Sequence, residues 1–439
     1  MVDVISPSAK RVIRMLEKAG YKAGLVGGCV RDMLMGTPPH DFDVTTNATP
    51  EEMHLVFQNE RVIETGIKHG TLTVLIDKEP IEITTFRIDG EYCDNRHPES
   101  VTFSRTLDKD LERRDFTVNA LYYDLDNGIV DLFGGEEDIK RKVIKAVGDP
   151  EKRFKEDALR ILRGIRFAST LGFEIEENTK KAMLKCKHLL ANISGERISV
   201  EINKFVMGKN VKNIMLQNYE ILGELCPAFL QMHGFEQFNK WHIYDVLEHT
   251  AVAVENTPCV LPLRLAMMLH DTGKPQAFFR DENGVGHFYG HADISTEIAR
   301  EYLNKYRYDN ATKNKVLWLV KHHDVYTEED EVIIKKRLNR MGKEPFLQLI
   351  EIQRADNSAQ NPELTRMEHF DTLKKMVEKI AERSCLSLSS LAVNGTDLID
   401  AGFLPGKKIG IILHTLLGEV IENKLENTKE ALLKRANEL

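Results

Sequence analysis

With 439 residues, 42% hydrophobic and 29% charged, the chain has an ordinary globular balance, which excludes a wholly disordered or collagen-like polymer. Its length suits roughly three domains with sizeable cores, and no run of about 18 apolar residues is present to span a membrane. A net charge of -8 argues against wholesale coating of nucleic acid and leaves room for local basic stripes.

The start, Met1 to Pro7, lacks the basic-then-apolar layout of a secretion signal. The six cysteines are scattered without a Cys-x-x-Cys pair and read as reduced thiols, so the cytoplasm is the expected compartment. Val12, Ile13, Leu16 and Ala19 recur at helical spacing and predict an amphipathic helix over 7–21. From about 24 to 148 short β segments follow: Leu25–Val26, Phe42–Thr46, Thr71–Ile76, Ile81–Arg87, Ala120–Asp124 and Ile129–Asp131. The polar stretch Asp89–Ser100 is a long loop for a compact head, and loops of that length usually carry function. Beyond Gly148-Asp149-Pro150 the strand signals nearly vanish, and helix follows helix to the end, punctuated by Gly, Pro and Asn. The expected fold class is α+β, a small N-terminal β-sheet head followed by an extended all-helical neck, body and tail.

The stretch Leu25–Thr46 carries the most chemistry. Two apolar residues end a strand, Gly27-Gly28 make a turn, and Cys29 to Met35 has the spacing of a short helix. Glycines let backbone N–H groups approach an anion at a helix start, and Arg31 can hold a phosphate there. Asp41 and Asp43, one residue apart on a strand, project from the same face. Two hard oxygen ligands so placed suit Mg²⁺ with positions left for substrate phosphates. Alone, a glycine pair is only a turn and Asp-x-Asp only a solvated strand end. Together, with Arg31 between them, they describe a phosphoryl- or nucleotidyl-transfer site. On these residues the chain resembles the nucleotidyltransferase superfamily in its class II branch, the tRNA CCA-adding enzymes and bacterial poly(A) polymerases.

Four further motifs carry the resemblance in order. Arg113–Leu121 resembles the ribose-selecting motif, which implicates Arg114, and Asp131–Asp138 the hinge between head and neck. Lys155–Phe167 resembles the nucleotide-base template and Glu196–Glu201 a neck helix. In the template segment Asp157, Arg160 and Arg163 recur every three residues, with Arg166 continuing the face and Leu159, Leu162 and Ile165 free to pack inward. A carboxylate accepts from an exocyclic amine and a guanidinium donates to a ring acceptor. Cytosine and adenine both offer that pair; guanine and uracil offer a carbonyl beside an N–H. Asp157 and Arg160 thus admit CTP and ATP, and the resemblance implies the same, with Arg163 and Arg166 orienting the pair or touching phosphates. From Lys152 to Arg166 six basic residues face two acidic ones, suitable for triphosphate or tRNA. Glu82 is either a third carboxylate behind the pair or an exposed strand residue. The loop 88–103 fits a mobile element that resets the site for the final A, and family members that add only C lack it.

A second constellation lies downstream: His249, His270-Asp271, His291, His322-His323-Asp324 and Asp356. An adjacent His-Asp pair ending an apolar helix, with an earlier His and a later Asp, resembles the HD metal-dependent phosphohydrolases. Imidazoles with carboxylates suit a transition metal that activates water, with His291 and His322 as a second site and Lys274 on a phosphate. Near the end, Val393–Gly410 reads as helix–turn–helix whose glycine amides, with Lys407 and Lys408, can bind an RNA phosphate, or as a plain tight turn. The expected division is a nucleotidyltransferase head (1–148), a base-reading neck (149–235), an HD-type body (236–385) and a tRNA-binding tail (386–439). The resulting expectation is template-independent CCA addition to tRNA from CTP and ATP by two-metal chemistry with Mg²⁺ at the head, away from membranes. An A-adding enzyme or poly(A) polymerase shares every head motif. A phosphohydrolase with a nucleotide-sensing head is the reading from another class.

Overall fold

Ser6 accepts a hydrogen bond from the Ala9 amide and Pro7 opens the first helix, so the chain begins with a well-capped Pro7–Lys18. That is the predicted amphipathic helix, three residues shorter at its end because the backbone turns at Ala19 and Gly20. The computed structural model describes residues 4–67, 70–89 and 101–439. Contacts divide it into two units, the chain up to Leu230 with Tyr302–Tyr308, and Gln231–Glu301 with Asp309–Leu439.

The first unit is built on a sheet. Its strands are β1 (Ala23–Val26), β2 (Asp43–Thr46), β3 (Arg61–Gly66), β4 (Thr71–Ile76) and β5 (Glu79–Thr85); after the pair β6 (Arg87–Asp89) and β7 (Val101–Phe103) come β8 (Leu121–Asp124) and β9 (Gly128–Asp131). The seven-stranded order is β3-β4-β5-β2-β1-β8-β9, and only β2 and β5 pair in parallel. Strand β4 alternates half-buried with buried residues, placing Leu72, Val74 and Ile76 in the core. They meet Ile81 and Ile83 of β5, Leu25, Val44, and Val12, Ile13 and Leu16 of the first helix in one apolar cluster. Strand β3 gives little signal in the sequence. It is an edge strand with an irregular register between Ile63 and Gly66, and only Val62 and Ile63 are apolar in it.

After the head the unit is helical: Pro150–Glu156, Leu159–Leu171, Glu177–Cys186 and Gly195–Val206, then shorter helices to Met232. One departure from the all-helical expectation is a two-residue parallel ladder of Val143–Ile144 with Glu174–Ile175, too short for a periodic signature. The second unit contains Val246–Asn256, Leu261–Leu269, Asn310–His322, Glu331–Met341, Lys343–Ser358 and Met367–Arg383. It also holds a small ladder, Phe279–Arg280 with Gly286–His287. The last helices, Gly395–Asp400, Lys407–Ile421 and Lys429–Ala436, bury Leu398, Ile412, Leu416 and Leu432 in a cluster of their own. Gly395–Asp400 and the start of Lys407–Ile421 form the expected helix–turn–helix, with Lys407 and Lys408 exposed. Among the described residues no helix is long and apolar enough to cross a membrane.

Candidate functional site

At the head, sheet register does the assembling. Asp43 opens β2 and is paired directly with Glu82 of β5, so their side chains leave the sheet on one face, opposite Ile81 and Ile83. The strand starts at Asp43, one residue later than expected, and Asp41 lies just before it in a bend. The three carboxylates nevertheless share a field. Burial pushes the Asp43 carboxyl above its ordinary value, Asp41 adds to that and Arg114 opposes it. Glu82 is likewise raised by burial and then by Asp43 and Asp41. Both alternatives for Glu82 describe part of what is found: it is exposed on its strand, and it stands beside Asp43. Crowded hard oxygens with no hydrogen-bond or ion-pair partner among the described residues form the donor set that a divalent cation fits.

The glycine turn behaves as its spacing suggests. Gly27 has φ +81 and precedes the helix Gly28–Leu34; a Cβ there would lie 3.1 Å from the Arg114 guanidinium. The arginines are tied into the protein. Arg31 is buried, donating to Asn119 Oδ1 at 2.6 Å and Asp32 Oδ1 at 2.7 Å, so it braces the turn. Arg114 donates to Asp110 Oδ2 at 3.2 Å.

A cleft of about 510 Å³ brings head and neck residues together, lined by Asp43, Glu82, Arg114, Asp157, Arg160 and Arg163 among others. The predicted continuous template helix is broken. One helix ends at Glu156, Asp157 is extended (φ -135, ψ 103), and the next begins at Leu159. The Asp157 carboxylate accepts from the Leu159 amide at 3.1 Å and from Arg197 at 3.0 Å, so it caps the second helix as it faces the cleft. Arg160 pairs with Glu156 at 2.9 Å and also donates to the carbonyls of Arg153 and Arg113. Arg163 donates to Asp115 at 2.7 Å. Burial works to raise the Asp115 carboxyl, but Arg163 and Asn119 override it and hold it at about 2. Arg166 lies over the Phe167 ring at 4.0 Å and pairs with Glu201 at 3.0 Å, burial pushing its guanidinium down against Glu201. Asp115, Arg197 and Glu201 escaped the sequence reading although they sit inside quoted motifs, because pairing across elements leaves no spacing signal.

The second unit gathers the histidines. His249 Nε2 lies 2.7 Å from Asp356 and 3.4 Å from Asp271 Oδ2; His270 Nε2 lies 3.2 Å from that same Asp271 oxygen and 3.4 Å from Asp356. The other Asp271 oxygen is 3.4 Å from His291 Nε2 and 3.7 Å from His323 Nε2. The four side chains of the first group, and separately Asp271, His291 and His323, converge closely enough to hold a metal ion. The sequence reading named His322; the structure places His323 in the cluster instead. The next residue on a helix is rotated by about 100°, so only one of two adjacent histidines can face inward. His322 stacks on Trp318, ring centroids 4.8 Å apart.

Backbone contacts preset these rings. Nδ1–H of His249, His270, His291 and His323 meets the carbonyls of Ala359, Met267, Phe288 and Val320 at 2.7 to 3.2 Å, so each Nε2 is aimed inward. His270 Nε2 and both Asp271 oxygens are buried without a hydrogen bond of good geometry. Burial opposes charge at His270, but Asp271 and Asp356 pull its imidazole up to about 10, a proton standing where a cation would. Burial and His270 push His323 down to about 4. Lys274 is buried and lies 2.7 Å from Asp271, and it also donates to Gln237. Gly273 is required by closeness: a Cβ would lie 2.6 Å from the His291 carbonyl. The loop 88–103 has its centre, 90–100, outside the described residues.

Residues 23–145 match the poly A polymerase head domain, 172–232 the RNA and SrmB-binding site of polymerase A, and 281–436 tRNA nucleotidyltransferase domain 2. A CCA-adding enzyme of Lactobacillus helveticus is 34% identical over 436 residues, covering 98% of this chain and 96% of that protein. One from Limosilactobacillus fermentum is 34% identical over 433 residues, with the same shares covered. The crystal structure of Bacillus stearothermophilus CCA-adding enzyme in complex with CTP superposes with a TM-score of 0.73 at 29% identity, covering 99% of this chain and 98% of that one. The chain belongs to the family of CCA-adding enzymes.

Proposed function

We propose that the protein completes the 3′ end of tRNA by adding C, C and A from CTP and ATP without a nucleic-acid template, in the cytoplasm where its scattered thiols stay reduced. The observation that carries this is a single cleft lined both by the sheet carboxylates Asp43 and Glu82 and by Asp157, Arg160 and Arg163 of the neck. Asp41 and Asp43, with Glu82 beside Asp43, would hold Mg²⁺, which supplies charge neutralisation on the triphosphate and makes the tRNA 3′-hydroxyl a better nucleophile.

The chain's own residues do the selecting. Gly27, Gly28 and Arg114 take the triphosphate and ribose, braced from behind by Arg31. Asp157 accepts from the exocyclic amine of cytosine or adenine. Arg160 has five N–H donors, and three are occupied by Glu156, Arg153 and Arg113, so two remain for the ring acceptor. Guanine or uracil would leave both groups unpaired, a mismatch that can reject a substrate by several orders of magnitude. Arg163 and Arg166, fixed by Asp115 and Glu201, position this pair. Purified protein given tRNA ending at the discriminator base, at C, or at CC tests the reading. CTP alone should extend the first two and ATP alone only the last; long A tails on unrelated RNA would reassign it to a poly(A) polymerase.

The convergent histidines favour a second activity, an HD-type phosphohydrolase in the body. His249, His270, Asp271 and Asp356 would hold a transition metal, and Asp271 with His291 and His323 a second, supplying an activated water. Asp41→Ala should abolish incorporation and spare phosphatase activity, and His270→Ala the reverse.

A further inference from the structure

His322 is left over by the metal cluster, and its surroundings are informative. In the second unit a pocket of about 660 Å³ opens between the helices Asn310–His322 and Glu331–Met341, lined by Lys315, Trp318, His322, Lys336, Arg337 and Arg340 among others. Lys315, Trp318 and His322 recur at i, i+3 and i+7, so one helix presents them as a single face. Trp318 and His322 lie nearly parallel, 28° between ring planes, and the His322 ring is held by Nδ1 bonding to the Trp318 carbonyl at 2.7 Å. The result is a flat, preset aromatic surface.

Four cations rim it in a chain whose net charge is -8. Lys336 is paired with Glu422 and Arg337 donates to the Tyr326 carbonyl. Lys315 and Arg340 have no hydrogen bond or ion pair among the described residues. Glu344 acts on Lys315 through space without bonding it. An aromatic surface beside cations that no side chain bonds is the chemistry that takes a base on its face and its phosphates on the rim, without reading sequence. No carboxylate lines the pocket to hold the metal that accompanies a free triphosphate.

We propose that this pocket docks an unpaired nucleotide of the bound RNA, its base stacked on Trp318 and its phosphates on Lys315 and Arg340. The proposal rests on the reading of the chain as an enzyme acting on tRNA.

The chain has two tryptophans, so Trp241→Phe leaves Trp318 as the sole reporter. Titrating this protein with tRNA lacking CCA, or with a short single-stranded oligonucleotide, should quench its emission. Lys315→Ala/Arg340→Ala, a change confined to the rim, should weaken the tRNA affinity several-fold and Trp318→Ala by about 5- to 100-fold, the range expected for losing one stacked base. Both should retain CTP incorporation at saturating tRNA. Unchanged emission at saturating tRNA, or equal quenching by a blunt RNA duplex with no unpaired base, would overturn the proposal. So would quenching by CTP or ATP alone with none by RNA. Adding Asp43→Asn should leave the quench intact while incorporation is lost. A reporter protein with Asp43 intact that quenches but never incorporates would therefore sink the proposed function and leave the pocket standing.

Discussion

Asp115 and Arg163, which both line the cleft, show how one ion pair holds a charge that burial opposes. The carboxylate is buried, and Arg163, Asn119 and the Phe116 amide hold its charge. Arg163→Ala should destabilise the first unit by about 3 kcal/mol, seen in urea unfolding, because it strands that charge. Acid acts on the same group. Its carboxyl is held at about 2 when folded and sits near 3.9 unfolded. The stabilisation, roughly 3 kcal/mol, is therefore complete above about pH 5 and disappears as pH falls through 2. An Asp115→Asn protein should lose that segment of the acid-unfolding curve. Gly273 makes the corresponding point in the second unit: Gly273→Ala forces the His-Asp turn off the His291 carbonyl and should cost on the order of 1–3 kcal/mol in thermal or urea melts.

At the level of elements, helical rotation and helix breaks determine which side chains meet. The end of Asn310–His322 turns His323 inward to Asp271 and His291 and leaves His322 on Trp318. His323→Ala should lower the metal bound by the second unit, measured by elemental analysis after equilibration with Mn²⁺, and His322→Ala should leave it unchanged. Had the break at Asp157 been absent, its carboxylate would have pointed along one helix face with Arg160. Instead the extended residue caps Leu159–Leu171 and is held by Arg197. Arg197→Ala should therefore relax discrimination against GTP and UTP while leaving the fold intact, read as misincorporation opposite no template.

At the scale of the whole molecule, the first unit carries the carboxylates Asp41, Asp43 and Glu82, and the second carries the histidines gathered around Asp271 and Asp356. Mn²⁺ should raise the melting temperature of the second unit by binding the native cluster, and His270→Ala should erase that shift, because a ligand stabilises only the state that binds it. Chelation should abolish nucleotide incorporation and phosphatase activity alike, whereas the single variants separate them.

The sequence alone determined the presence of the helix at the start, the strands flanking the glycine turn, the acidic pair, and the order of the five motifs. Each of these is local: a periodicity, a turn residue or a spacing of one to four positions, set by backbone geometry within a few residues. Register, rotation and burial were decided by tertiary packing. That Glu82 stands beside Asp43 depends on how β5 pairs with β2, 39 positions away in the chain, and that His323 replaces His322 depends on which face of its helix is buried. Asp115, Arg197 and Glu201 became legible only once separate segments were brought within hydrogen-bonding distance, since a charge finds its partner in space and leaves no trace of that partner in the spacing of its own segment.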